Sequence, residues 1–412
     1  MSTDPSLQVA VTRMGALFHY AIPRAIYGLG NLGRLYTDIW ASKPLWHPLR
    51  LVPNMIRPKP LKRFLARCSN DLPSGRVTQF PLLAIQNAIQ YQRSHCLAAT
   101  LRAHIDSGRR FCENVVRDGL ENCNAVYTFN SQGLELLKYA KKNRIHSFLD
   151  LTIAPFSFEL DLMSMEQELF PGWESPLPNA GEFATEFAER EKEEWGYSDI
   201  ILCGSEFVRD ALQSAGGPSD RCVVVPYCFE SRVPPPKRCL HNRRLRVLTV
   251  GTVCLRKGLQ YVARVAERLN REIDFRVVGP VAISSDAIAA LQNVVELVGQ
   301  VPRSEVLDHF RWADVFLLPS LCEGSATVCY EALAMGLPVI CTPNTGSTVK
   351  AGLDGFIVPI REIDAIIEKL LLLNRDRKLL ENMSNQAIGS ANLGSMKNYM
   401  KRLSVVLNRI EV

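Results

Sequence analysis

The chain has 412 residues, with 48 Lys and Arg against 42 Asp and Glu, a formal net charge of +6 at pH 7. A composition 47% hydrophobic and 22% charged suits a soluble globular protein of two or three domains. It excludes a disordered chain, a fibrous repeat and a small disulfide scaffold, and no apolar run approaches the ~20 residues that span a bilayer.

The first strand is expected at 8–14, ended by Gly15, followed by an irregular, proline-rich stretch to about residue 80. Residues 84–118 read as helix, with Gly108 a candidate break. From Ala125 short apolar strands alternate with helices: strands at 125–129, 145–150, 199–203 and 221–227, and helices at 132–142, 182–196 and 206–214. A polar, proline-interrupted stretch separates 150 from 182. Pro234-Pro235-Pro236 and the basic run KRCLHNRR mark a domain boundary. Beyond it, strands at 245–251, 274–279, 294–299, 314–319, 338–342 and 355–358 alternate with helices at 259–271, 286–292, 303–311 and 327–335. This rhythm predicts an α/β protein with a parallel sheet in each half, whose ligand rim lies at the strands' carboxyl ends. The last segment, 395–412, carries one apolar stripe through Met396, Tyr399, Met400, Leu403, Val406, Leu407 and Ile410, so it must pack on something.

Twelve cysteines are scattered with no C-x-x-C pair, several inside strand-like runs, which reads as reduced, buried thiols in a cytoplasmic protein. No signal peptide opens the chain. Residues 28–33, GLGNLG, match G-x-G-x-x-G literally, but the preceding strand ends thirteen residues too early and the region near 53 is basic rather than acidic. A dinucleotide site therefore fails, and the stretch reads instead as a flexible interdomain loop. Gly15, directly after the first strand, is better placed to let a ligand phosphate or sugar approach the backbone.

The chemistry concentrates in LLPSLCEGSATVCYEALAMGLPVICTP, 317–343. Glu323 lies at a strand's carboxyl rim and Glu331 early in the next helix, so both can face one crevice. Carboxylates grip paired hydroxyls, while the intervening amides and helix start favour phosphate. In VGTVCLRKGLQYV, 250–262, Arg256 and Lys257 precede a helix start as a phosphate clamp.

Glu323 and Glu331, seven residues apart and followed by EALAMGLPVICTP, resemble the E-x7-E element of GT-B glycosyltransferases, specifically the retaining, nucleotide-sugar-dependent family 4. LRKG and SEFVRDALQSAG…RCVVVPYCFE at 205–230 are similar to that family too. The resemblance implies two Rossmann-like doubly wound domains facing across a cleft: an acceptor-side domain over 1–228, a nucleotide-sugar domain over 229–394, and a helix over 395–412 packing back on the first. It implies that Glu323 holds donor-sugar hydroxyls, Gly324 and Ser325 supply backbone amides, Glu331 bonds the ribose, and Lys257 neutralises donor phosphate. The family's arginine after the strand-ending glycine is replaced by Thr252, with Arg256 as a neighbouring substitute. Its second glycine is Gly346, followed by Ser347, Thr348 and Val349 rather than an acid. Asp150 is the candidate acceptor contact or base, with His19 a second rim candidate.

The expected reaction moves a sugar from a UDP- or GDP-linked donor to an acceptor hydroxyl with retention, no cofactor and no metal, since the chain contains no D-x-D. The acceptor is a saccharide or a lipid-linked compound. The basic segment IRPKPLKRFLAR, 56–67, is a candidate for peripheral contact with an anionic membrane or for recruiting a lipid-linked acceptor. A charge of +6 without a recognition motif argues against nucleic acid, and oligomeric state is not legible. An epimerase or hydrolase of the same form, or an inactive nucleotide-binding subunit, are the rival readings.

Overall fold

A computed structural model of the chain describes residues 7–53, 56–94, 96–175, 181–229, 234–236 and 243–410. The first half holds strands β1 (Val9–Thr12), β2 (Leu32–Thr37), β3 (Val77–Gln79), β4 (Ala125–Phe129), β5 (His146–Leu151), β6 (Ile200–Cys203) and β7 (Cys222–Val224). Between them lie helices α1 (Ala21–Gly28), α2 (His47–Arg50), α3 (Lys59–Leu65), α4 (Pro81–Gln92) and α5 (Leu97–Asp118). Next come α6 (Leu134–Lys142), α7 (Phe156–Leu169), α8 (Gly181–Tyr197) and α9 (Glu206–Ser214). The second half holds β8 (Leu245–Val250), α10 (Leu259–Leu269), β9 (Ile273–Val278), α11 (Ser285–Gln292), β10 (Glu296–Gly299) and α12 (Arg303–Trp312). It continues with β11 (Val315–Leu318), α13 (Thr327–Ala334), β12 (Val339–Cys341), β13 (Gly355–Ile357), α14 (Ile363–Arg375), α15 (Arg377–Ala391) and α16 (Met396–Leu407).

The strands form two separate parallel sheets, β3-β2-β1-β4-β5-β6-β7 and β10-β9-β8-β11-β12-β13. The order reverses beside β1 in the first and beside β8 in the second. Loops leaving β1 and β8 therefore open onto a crevice, the usual place for a ligand in such sheets. Helices cover both faces, which is why the strand interiors read as continuous apolar runs.

The N-terminal region is more regular than expected. The stretch after residue 15 contains β2 and β3 as well as α1–α3. GLGNLG is no flexible loop: Gly28 ends α1, Gly33 lies in β2, and a Cβ on Gly28 would sit 2.7 Å from Met400 Cε in α16. The break between α4 and α5 falls at 93–96; Gly108 sits inside α5, where its bare Cα lets the helix lie on the backbone of Ser131 and Gln132. The proline-interrupted stretch before α8 contains the fourteen-residue α7. Of the proline and basic boundary segment, 230–233 and 237–242 lie outside the described residues. Tyr399, Leu403, Val406 and Leu407 of α16 are buried in the first half's core beside Ile22 and Ile26 of α1.

α7 belongs to the first half by sequence, yet it reaches across to the second. Glu166 is fully buried and accepts hydrogen bonds from Arg361 Nε (2.6 Å), Gln260 Nε2 (2.8 Å) and Tyr261 Oη (2.8 Å). Just beyond the helix, Glu174 accepts from the Leu255 amide at 2.5 Å. A second seam is apolar: Ala154 and Ala211 cluster with Cys322, with Phe158 and Leu162 packed against them.

Candidate active site

The loop after β11 is pinned on two sides. The Glu323 amide donates to Asn344 O at 3.1 Å and the Ala326 amide to Thr345 O at 2.9 Å, and the Ser205 hydroxyl donates to Gly324 O at 2.5 Å. A Cβ on Gly324 would overlap the Thr152 carbonyl, so only glycine lets the two halves approach this closely. Ser325 is buried, its hydroxyl 2.7 Å from Tyr330 Oη.

Opposite this loop, Leu255–Lys257 make one turn of 3₁₀ helix closed by Gly258 at φ +75°. A Cβ there would collide with Pro319 O at the end of β11, so the glycine sets the cations against the Glu323 loop. Both cations converge on one oxygen: Arg256 Nη1 lies 2.9 Å and Lys257 Nζ 2.6 Å from Glu323 Oε1. Arg256 also donates to Cys322 O at 2.7 Å and lies 3.4 Å from Glu159 of α7. Burial pulls the Arg256 guanidinium down, but Glu323 and Glu159 more than reverse this and leave its pKa raised. Burial raises the Glu159 carboxyl, against the pull of Arg256. Glu159 had no sequence signal, because the helix carrying it was hidden in the proline-interrupted stretch.

Glu331 stands apart from that cluster. It lines a cavity of about 650 Å³ walled by both halves, with Thr327 and Arg303 from the second, Ala16, His19 and Cys68 from the first. Its carboxylate accepts from Arg303 Nη2 at 2.8 Å; burial raises its pKa and Arg303 opposes this. Arg303 follows Pro302 at the start of α12 and looks in the sequence like any surface arginine. The structure thus brings Glu323, Arg256 and Lys257 together with Gly324 and Ser325, and sets Glu331 on the neighbouring cavity wall.

Two candidates from the first half are occupied otherwise. Gly15 is in a left-handed conformation, φ +79°, but its amide donates to Asp38 Oδ1 at 3.0 Å, and Asp38 is held by Arg67 at 2.5 and 2.6 Å. Its N–H is not directed to a phosphate. Asp150 is a correction: it is 1% exposed, and its two oxygens accept from Tyr127 Oη at 2.6 Å and Tyr227 Oη at 2.5 Å. It faces the interior of the first half rather than the cavity. Burial pushes its carboxyl up to about 6, the two tyrosine bonds and Arg13 acting against burial. His19 does line the cavity, within three successive non-glycine residues, Phe18, His19 and Tyr20, all at positive φ. Such backbone costs about 1–3 kcal/mol per residue and persists where its surroundings over-determine it.

Among the described residues no group of three or more His, Cys, Asp or Glu side chains is placed to hold a metal ion, and no helix is long and apolar enough to cross a membrane. The cysteines described carry no disulfide.

Two parallel Rossmann-like sheets with a rim cluster between them are the architecture of the two-domain GT-B fold. Residues 244–376, about a third of the chain, match the family described as Glycosyl transferases group 1. It is 28% identical over 195 residues to the amylovoran biosynthesis glycosyltransferase AmsK of Erwinia amylovora, covering 43% of this chain and 48% of that one. The chain spans about half the length of the curated relatives it matches. Its fold is similar to sucrose-phosphate synthase from Thermosynechococcus elongatus, with a TM-score of 0.67 at 13% identity over 98% of both chains. It is also similar to Anabaena HepE in complex with UDP and glucose, with a TM-score of 0.59 at 12% identity over 98% of this chain and 100% of that one.

Proposed function

We propose that this protein transfers a glycosyl group from a nucleotide-diphosphate sugar to an acceptor hydroxyl with retention of anomeric configuration. The observation that carries the reading is the convergence of Arg256 and Lys257 on Glu323 at 2.9 and 2.6 Å, at the switch point of the half that matches the family. In this reading the donor lies on the side of residues 229–394 and the acceptor on the side of 1–228, with the helix of 395–412 joined to the latter. The diphosphate takes over the two cations, Glu323 turns to the sugar hydroxyls, Gly324 and Ser325 offer amides, and Glu331 meets the ribose.

The bond from the anomeric carbon to the diphosphate oxygen breaks, and a bond from that carbon to the acceptor oxygen forms. Negative charge grows on the departing diphosphate, where Arg256 and Lys257 are already fixed and need little reorganisation. The acceptor enters on the face the diphosphate leaves, so its proton passes to the nearest departing phosphate oxygen. With Asp150 sealed by two tyrosines, His19 on the first-half wall, beside Ser69, Asn70 and Asp71, is the candidate for orienting the hydroxyl. The name of HepE makes UDP-hexoses the first donors to try. The acceptor class, saccharide or lipid-linked, follows from the same assay.

The test is a panel of UDP- and GDP-hexoses incubated with candidate acceptors, with nucleotide release measured and products weighed by mass spectrometry. Transfer gives an acceptor heavier by one sugar. Free sugar or an isomerised donor, equal with and without acceptor, would mean hydrolysis or epimerisation instead. Absence of binding to every nucleoside diphosphate by calorimetry would overturn the reading in favour of an inactive assembly subunit.

A further inference from the structure

The positive charge of this chain is not spread over it. Residues 39–105 contain ten Lys and Arg and a single acid, Asp71. The rest of the chain, with 38 Lys and Arg against 41 Asp and Glu, is slightly acidic. Asp71 is itself paired, 2.6 Å from Arg24. All of the net +6 therefore comes from one stretch of the first half.

The same stretch carries an unusual amount of exposed apolar surface. Among the described residues, eighteen large hydrophobic side chains are exposed, and eight fall between 45 and 91. One set lies around α2: Leu45, Leu49, Leu51 and Ile56, with Leu51 83% exposed. The other lies on α4, where Leu82, Ile85 and Ile89 are exposed at spacings of three and four. α4, PLLAIQNAIQYQ, has no charged residue, although a solvent-facing helix surface is normally polar. Its inner face, Leu83 and Asn87, is the buried one.

The two sets share one corner of the fold. The Trp40 amide and the Trp46 indole both donate to Gln79 Oε1, at 2.9 and 3.0 Å, and the Phe80 amide at the start of α4 donates to Thr37 O. The segment around α2 and α3 is thus tied to the carboxyl ends of β2 and β3, where α4 begins. Cations flank both: Arg50, Arg57 and Lys62 beside the first set, and Arg93 and Arg102 lining a groove of about 470 Å³ with Ile89 beside the second. The chain runs on from α3 into Cys68–Asp71, which line the cavity that Glu331 faces.

We propose that this corner is a docking face for an anionic lipid bilayer, with the exposed side chains of α4 and of Leu45, Leu49, Leu51 and Ile56 entering the headgroup region and the surrounding cations meeting lipid phosphates. Exposed leucine and isoleucine beside a cluster of cations, whose neighbouring acids Asp71 and Asp106 are paired with Arg24 and Arg102, is the arrangement of interfacial binding. A water-facing surface explains neither the apolar stripe nor the confinement of the charge. The docked face would hold the cavity mouth beside the bilayer. The proposal goes beyond sugar transfer and does not depend on it.

The test is co-sedimentation of the full chain with neutral phosphatidylcholine vesicles and with vesicles containing about 30% phosphatidylglycerol. At low salt the protein should partition to the anionic vesicles and not to the neutral ones. Ile85→Asp should weaken partition at least about tenfold, since one apolar side chain is withdrawn and a like charge added. Lys62→Gln with Arg93→Gln should weaken it about 20- to 30-fold and flatten its dependence on salt, at roughly fivefold per cation. Unchanged thermal unfolding of these surface variants shows that the fold is kept. No partition to anionic vesicles, equal partition to both kinds, or a fully bound Ile85→Asp variant would overturn the proposal. So would concentration-dependent dimerisation that Ile85→Asp abolishes while wild type ignores vesicles, which would assign the face to a second copy.

Discussion

Glu323→Gln separates nucleotide binding from turnover, because the two effects have opposite signs. The amide keeps the side chain's shape but removes the charge on which Arg256 and Lys257 converge, and turns one acceptor into a donor facing two cations. In the unliganded protein that carboxylate competes with any diphosphate for the pair. Side-chain exposures of 26% for Arg256 and 12% for Lys257 place the contact near the upper end of surface pairs, about 1 kcal/mol. Releasing the cations should therefore tighten binding of a nucleoside diphosphate roughly fivefold. Turnover should move the other way. Losing a charge-assisted contact to the reacting sugar costs about 2.7–4 kcal/mol, or 10²–10³ in kcat/KM. Calorimetry with UDP and GDP, beside steady-state nucleotide release, measures both. Weaker diphosphate binding together with turnover within a few-fold of wild type would refute the reasoning.

Three further substitutions probe other parts of the molecule. Glu166→Ala strands the Tyr261 hydroxyl and unpairs Arg361, which is only partly exposed, so urea unfolding should report a loss of about 3 kcal/mol. A loss below about 1 kcal/mol would mean that α7 does not hold the halves together. Gly324→Ala drives a Cβ into the Thr152 carbonyl, and should cut turnover at least about a hundredfold with the near-native thermal unfolding of a protein whose sheets are intact. Asp150→Asn tests the buried carboxylate. The folded state holds its proton up to about 6 against an ordinary value of 3.8, so its stabilisation is present below about pH 4 and is lost as pH rises through 6. The stability of wild type relative to the Asn variant should fall by about 1–3 kcal/mol between pH 4 and 7, read from paired unfolding curves.

The second half was legible because its signals are local. The strands from β8 to β13 are short, mostly apolar runs bounded by turns, and Lys257-Gly258 and Glu323-Gly324 each sit in the loop that follows a strand. What escaped the sequence was long-range. Asp150 stands at the end of a strand, as an active-site acid would, but the two tyrosines that seal it lie 23 and 77 residues away. β3 has three residues and β2 is interrupted by Gly33 and Arg34, too short and too polar to show the strand pattern beside so many prolines. α7 begins directly after Pro155 and carries both Glu159 and Glu166, whose partners come from the other half. Its low amphipathicity reflects contacts on more than one side, which removes the periodic signal a surface helix would give.

The packing of α16 also sets an order of events during synthesis. The first sheet is complete in the chain by Val224, yet its core still lacks Tyr399, Leu403, Val406 and Leu407, which are made only after the whole second sheet. Until those residues emerge from the ribosome, Ile22 and Ile26 of α1 have an incomplete cover, and Gly28 has no Met400 beside it. The half translated second can bury its own core first, and the half translated first must wait for α16 to close. Nascent chains halted before residue 396 should accordingly present the α1 surface to chaperones, while the second sheet is already shielded.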